Sequence, residues 1–299
     1  MDPSLVRVKP GRWWKQVVFA LAAVLLVIPG TIMALLLVVP LVVTGRRTRD
    51  RSFPYWAAYI VSFAIYVVIR GLADDIGPGP FVDYPIVLDR LLGLGTVPTV
   101  ALQATYVPGT PRWWDYFGVA IYVTHYFAFP AIAVLTWRLA PAKLPRLLTS
   151  ASVCLLLGAC IHLLLPTVPP WLAAQTGHLS VVHRPIVDVL SRISPVIYEL
   201  GLSNGGGNDV AAMPSMHAAA ATLVAAACWT GPSLVRLAAA GYAALMCIAL
   251  VYFGEHYVVD ILVGAAMALG IWAATPRLTA AIGRFALSRV SDEPHNNAS

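Results

Sequence analysis

Residues 234–275 read LVRLAAAGYAALMCIALVYFGEHYVVDILVGAAMALGIWAAT. Two apolar stretches, 234–253 and 257–275, flank a short polar insert. Each is long enough to cross a hydrocarbon core of about 30 Å as a helix. Further stretches of this kind lie at 16–43, 54–70, 115–137, 147–165 and 213–231. The composition agrees. Of 299 residues, 59% are apolar and 11% are charged, and the mean hydropathy is +0.76. Soluble domains carry about 25% charged residues. A basic nucleic-acid binder is excluded, because the net charge of +6 is scattered through an oily chain. Disorder, collagen and coiled coil fail on the same grounds. The expected fold is all-α, a polytopic membrane helix bundle. The first apolar stretch is too long for the core of a signal peptide, so no cleavable leader is expected.

Basic residues set the expected topology. Arg46, Arg47, Arg49 and Arg51 lie in one connection, Arg138, Lys143 and Arg146 in another, and Arg277, Arg284 and Arg289 in the tail. The positive-inside tendency makes these cytoplasmic and places the long loops 71–113 and 166–212 outside. The last six stretches alternate consistently. The first does not, because Arg7, Lys9, Arg12 and Lys15 also belong inside. Pro29-Gly30 suggests a membrane-embedded hairpin over 16–43, and a single tilted helix is the alternative. Three regions follow: 1–53, an N-terminal membrane hairpin or extra helix with a basic loop; 54–275, a six-helix core; and 276–299, a cytoplasmic tail. Trp13-Trp14 and Trp113-Trp114 read as interfacial anchors. Segments 81–103 and 185–200 read as surface pieces that either border a lipid entrance or cap the bundle. Cys154, Cys160, Cys228 and Cys247 show no metal or redox spacing and read as packing residues.

Ionisable groups in a bilayer are costly and therefore point to function. They concentrate in two places. One is 205–217, GGGNDVAAMPSMH, running into an alanine-rich span; the other is 252–260, YFGEHYVVD. Counting crossings puts His217 and His256 at the same membrane face. Asp260, four residues after His256, is expected one turn deeper on the same helical face. There its carboxylate can accept the Nδ1–H of His256, leaving Nε2 as a nucleophilic lone pair. Two helix N-termini side by side would also favour a phosphate, and the glycine run offers backbone N–H donors. Asn208, Asp209 and Ser215 complete the polar set. His125 and His162, in mid-span, read as packed residues, His178 and His183 as surface ones. Glu255 reads as facing water or the substrate mouth.

These residues resemble the type 2 phosphatidic acid phosphatase superfamily. Pro214-Ser215-Met216-His217 is similar to its second motif, Pro-Ser-x-His, and His256 with Asp260 to the end of its third, His-x-x-x-Asp. The fuller string 207–217 (GNDVAAMPSMH), HYVVD over 256–260, and Leu165-Pro166-Thr167-Val168-Pro169-Pro170-Trp171 resemble the inositol phosphorylceramide synthase (aureobasidin-resistance-type) branch. The chain departs from the phosphatases. The first motif lacks their Lys and Arg-Pro, and Ala249 and Leu250 stand where Ser-Arg is usual. Arg70, Arg184 and Arg192 are the candidate replacement cations. Arg70 ranks first because it ends a span beside the functional face, with pairing to Asp74 or Asp89, or snorkelling to lipid head groups, as its structural alternative.

The resemblance implies a double displacement. His256 attacks phosphorus, Asp260 balances the charge on the ring, and His217 serves as general acid and then base, with no metal and no cofactor. The implied substrates are a phospholipid donor and a lipid hydroxyl acceptor, with phosphoinositol as the candidate head group. The rival activities are hydrolysis of phosphatidate-like or polyprenyl phosphates and, from another class, a transporter or structural bundle. The expected location is a bacterial cell membrane with the site facing outward. No nucleic-acid partner is expected.

Overall fold

The computed structural model describes residues 52–76, 78–194 and 209–291, without the side chains of 73–75 and 279–291. The stretch 16–43, Trp13-Trp14 and Asn208 lie outside the described residues. So do the rest of the N-terminal region up to residue 51, residues 195–200 of the second surface segment, the glycine run 205–207, and residues 292–299 of the tail.

The described chain is all-helical. In chain order its α-helices are α1 Phe53–Ile76, α2 Asp83–Leu92, α3 Pro98–Leu102, α4 Trp113–Val123, α5 His125–Leu139, α6 Leu144–Leu164, α7 Pro170–Gln175, α8 Pro185–Ile193, α9 Met216–Cys228, α10 Ser233–Tyr252 and α11 Val258–Ser291. Four segments among them, Phe53–Leu72, Pro141–Leu164, Ser233–Tyr252 and Val258–Leu278, are long and apolar enough to cross a membrane. The α4–α5 pair, bent by 45°, makes a fifth when taken as one span. The apolar stretch 213–231 yields only the 13 residues of α9. At 1.5 Å per residue that is about 20 Å, short of a full crossing. Each of the last six apolar stretches thus carries a helix, and the six are unequal.

The bend has a local cause. The Thr124 hydroxyl donates to the Ile121 carbonyl at 2.5 Å, a back-bond of the kind that bends helices. The Thr124 carbonyl then accepts the N–H groups of Phe127 and Ala128 and starts α5 in a new direction.

Packing radiates from α9, which touches α5, α6, α10 and α11. Its alanines let neighbours approach closely, the device of packing in lipid, where apolar burial drives little. On one side Ala219 and Leu223 join Trp56 and Ile60 of α1 with Leu147 and Leu148 of α6. On the other, Ala218 and Ala221 meet Val119 of α4, Val189 of α8 and Leu250 of α10. The outer faces stay apolar: Val68, Leu237, Ile248 and Leu269 are each more than half exposed. Such faces suit lipid tails and not water. Segments 81–103 and 185–193 form α2, α3 and α8. Of these, α2 packs on α11 and α8 on α4, so both cap the bundle. The four cysteines are unpaired.

Candidate functional site

Three loops are tied together above the amino ends of α9 and α11. Thr167 forms parallel bridges to Phe81 on one side and Ala211 on the other. Val168 N–H donates to the Phe81 carbonyl at 3.0 Å, and Ala212 N–H to the Thr167 carbonyl at 3.1 Å. The proline-rich segment 165–171 is therefore the middle rung. Proline cannot donate to a ladder, and here the donors come from Thr167 and Val168 between the prolines.

This tie fixes Ala212, and Ala212 fixes His256. His256 Nδ1 lies 2.9 Å from the Ala212 carbonyl oxygen, which can only accept, so Nδ1 carries the proton and Nε2 the lone pair. That Nε2 faces His217 Nδ1 at 3.5 Å, with ring centroids 5.6 Å apart. The expected convergence of the two histidines is present. His256 is buried, and Asp260 beside it is fully so.

Asp260 requires a correction. Its Oδ2 stands 3.6 Å from His256 Nδ1, and it accepts the Tyr257 N–H at 2.8 Å. The reason is the helix boundary: α11 starts at Val258, so His256 precedes the helix and Asp260 is its third residue. A carboxylate at that position reaches back to the first uncapped N–H. The tautomer of His256 is held by a backbone carbonyl, with the carboxylate as a neighbouring negative charge.

The close approach of α9 and α11 depends on Gly264. A Cβ there would overlap the Ser215 carbonyl oxygen. Ser215 N–H in turn donates to the Asp260 carbonyl at 3.0 Å, locking the two helix starts together. The buried Ser215 hydroxyl oxygen accepts the Ala218 N–H and caps α9, so its role here is structural.

The expectation of an anion seat made of two open helix ends also needs correction. Asp89 of α2, fully buried, accepts the N–H groups of Val258 and Val259 at 3.0 and 2.9 Å. The amino end of α11 thus already holds a carboxylate. Burial pushes the Asp89 carboxyl above its ordinary value; the Val259 and Val258 N–H groups oppose this and the nearby Asp260 adds to it.

The candidate cations separate clearly. Arg192 donates to the Gly109 carbonyl, away from the histidines. Arg184 forms a two-pronged pair with Glu255, at 2.9 and 3.1 Å, and stacks on Trp171 at 4.1 Å. Glu255, expected to face water or the substrate mouth, is largely enclosed by this pairing. Arg70, half-buried on α1, lies close enough for its charge to reach His217, His162, Tyr66, Tyr122 and Tyr126. Asp89, offered by the sequence as an alternative partner for Arg70, spends its carboxylate oxygens on α11. Asp209 is exposed, before α9.

Two residues read as mere packing belong to this cluster. The His125 ring lies 4.1 Å from that of His217, and Tyr122 follows at 5.1 Å. His162 Nε2 donates to the Pro214 carbonyl at 3.1 Å, within the second motif. Nothing in the sequence marks His125, because the bend at Thr124 decides where it points. Among the described residues, no group of three or more His, Cys, Asp or Glu side chains could hold a metal ion.

A family model described as PAP2 superfamily matches residues 85–274, well over half of the chain. The chain belongs to the PAP2 superfamily. No curated protein and no solved structure matches it. Superfamily membership and the apolar helices together identify a membrane protein related to phosphatases and phosphotransferases of lipid-type substrates. In this PAP2 chain the matched region spans α2 to α11 and contains both histidine motifs. Arg70 lies ahead of it, on α1.

Proposed function

We propose that the protein is a phosphotransferase of the inositol phosphorylceramide synthase-like branch, moving a phospholipid head group, phosphoinositol by preference, onto a lipid hydroxyl. The observation that carries the reading is the opposition of His256 Nε2 to His217 Nδ1 at 3.5 Å, with the His256 tautomer held by Ala212. A lone pair and a proton carrier then address one phosphorus atom.

His256 Nε2 attacks the phosphorus of the donor phosphodiester, and the bond to the diacylglycerol oxygen breaks. For this, His217 must hold a proton when the donor is bound, and it gives that proton to the oxygen. The acceptor hydroxyl enters and loses its proton to His217, and its oxygen displaces Nε2. Both histidines return to their initial states. Asp260 opposes the positive charge on the His256 ring through both steps. Arg70 is assigned to the phosphate, while Asn208 and Asp209 stay candidates for substrate binding. The acid, base and nucleophile are all side chains, so the reading assigns no metal and no cofactor. The site faces the extracytoplasmic side of a cell membrane, bacterial in this reading.

Transfer is preferred to hydrolysis because the cations that phosphatases of the superfamily carry for a phosphate monoester are replaced by Ala249, Leu250 and an uncharged proline-rich segment. A site with less positive charge suits the single charge of a diester. The test uses purified protein in vesicles containing phosphatidylinositol labelled in its head group and candidate lipid alcohols. A labelled lipid product supports transfer, and soluble inositol phosphate or phosphate supports the hydrolase. His256→Ala and His217→Ala should each abolish turnover. Full activity in either variant would falsify the assignment.

A further inference from the structure

The general acid of the proposed reaction is gripped by two rings of one bent helix. Tyr122 is the second-last residue of α4 and His125 begins α5, three residues apart on either side of Thr124. Both rings rest on His217, at centroid distances of 5.1 and 4.1 Å, tilted by 32° and 44°. The grip is anchored in the core. Tyr122 packs edge-on against Phe253 at 6.3 Å, and Phe253 is fully buried two residues before Glu255. Phe253 in turn presses on Gly118 of α4, where a Cβ would come within 2.8 Å of its ring. One continuous stack thus runs from α4 through Phe253 and Tyr122 to His217, and His125 closes it from α5.

His217 needs this. Its Nδ1 must stay aimed at the leaving oxygen beside His256, yet the hydrogen bond that nitrogen makes is to His256 itself, at a long 3.5 Å. Packing against its ring then helps to hold the imidazole plane, and Tyr122 and His125 give the two shortest ring contacts that it makes. The 45° bend is what brings His125 onto the ring.

We propose that His125 is a positioning residue for proton transfer by His217, acting through its ring and not through a proton of its own. The inference rests on the reading of His217 as the general acid. It predicts a selective defect, because an alkoxide leaving group needs a proton and a nitrophenolate does not. Single-turnover phosphoenzyme formation is to be followed with phosphatidylinositol and with the 4-nitrophenyl ester of inositol phosphate, in vesicles, for each variant. His125→Ala should slow the phosphatidylinositol reaction about tenfold or more, a share of the ~10²–10⁴ that general acids supply. It should change the nitrophenyl reaction less than about threefold and leave KM nearly unmoved. His125→Phe, which keeps a ring, should restore most of the rate, and His125→Gln, polar but without the ring, should not.

Equal losses on both substrates, a Phe variant as poor as Gln, or no loss in Ala overturns the proposal. If Ala does not fold, the Phe and Gln pair decides alone. The reading beneath it is tested separately with His217→Ala. If that variant shows no preference for the nitrophenyl ester, or if wild-type protein forms no phosphoenzyme, the assigned acid is wrong, whatever His125 does.

Discussion

Asp260→Asn tests the site most directly, because the structure separates two effects of a carboxylate that usually act together. In a triad whose carboxylate alone holds the histidine proton, an amide reverses the tautomer and costs about 10⁴ in kcat. Here the Nδ1 proton rests on Ala212 at 2.9 Å, and an asparagine oxygen at 260 can still accept the Tyr257 N–H. Tautomer and helix cap both survive, and only the charge is lost. A full charge at 3.6 Å, with an effective dielectric of 20, interacts by about 4.6 kcal/mol. A ring carrying half its final charge in the transition state would lose about half of that. At 1.36 kcal/mol per decade, kcat should fall between about fiftyfold and about two-thousandfold. KM should move less than about threefold, since the charge acts on the ring and not on bound substrate. Initial rates of head-group transfer in vesicles give both constants. A loss near 10⁴ would show that the carboxylate, not Ala212, sets the tautomer. A kcat within threefold of wild type would show that Asp260 merely caps α11.

Gly264→Ala should cost about a hundredfold in kcat, because the new Cβ meets the Ser215 backbone and must push the two histidine-bearing helix starts apart. Gly158→Ala, whose new contact is the flexible Met216 side chain, should cost far less, and rates of the two purified proteins compare them. Asp89→Asn should destabilise the protein by about 1–3 kcal/mol, since the amide nitrogen faces one of the two N–H donors of α11. The same variant should flatten the pH dependence of the thermal midpoint. Between the ordinary carboxyl value and its raised folded value, native protein holds a proton that the unfolded chain has released, so wild-type stability falls as pH rises through that window. A steeper fall in the variant would refute the sign. Arg70→Ala should raise KM for the phosphodiester about tenfold or more and kcat should fall less, and Arg70→Lys should recover part of the affinity; an unchanged KM would remove Arg70 from the phosphate.

The bundle was legible because lipid makes its demands through residue type: long apolar runs had to be helices, and the last six are. The meeting of His217 with His256 was legible too, by counting crossings. What escaped depends on where helices begin and bend. Reading 256–260 as continuous helix stacks Asp260 under His256; the helix starts two residues later, and the carboxylate turns back to Tyr257. Reading 115–137 as one straight span sends His125 into anonymous packing; a single threonine back-bond redirects it onto His217. Asp89 reaches Val258 across 169 residues, a distance over which no local pattern speaks.

That last contact bears on how phosphate is bound. Free N–H groups and the helix dipole make an amino end attractive to an anion, and two such ends meet at this site. At α11 the attraction is already met by Asp89, and at α9 the Ser215 hydroxyl takes the Ala218 N–H. Arg184, the other cation near the histidines, is neutralised by Glu255. Among the described residues, these three features that could draw a doubly charged monoester are engaged within the protein, and the charge of Arg70 reaches His217. The departures that take positive charge from the phosphatase motifs thus have a counterpart in the folded chain, and both favour the proposed reading of a singly charged diester as donor.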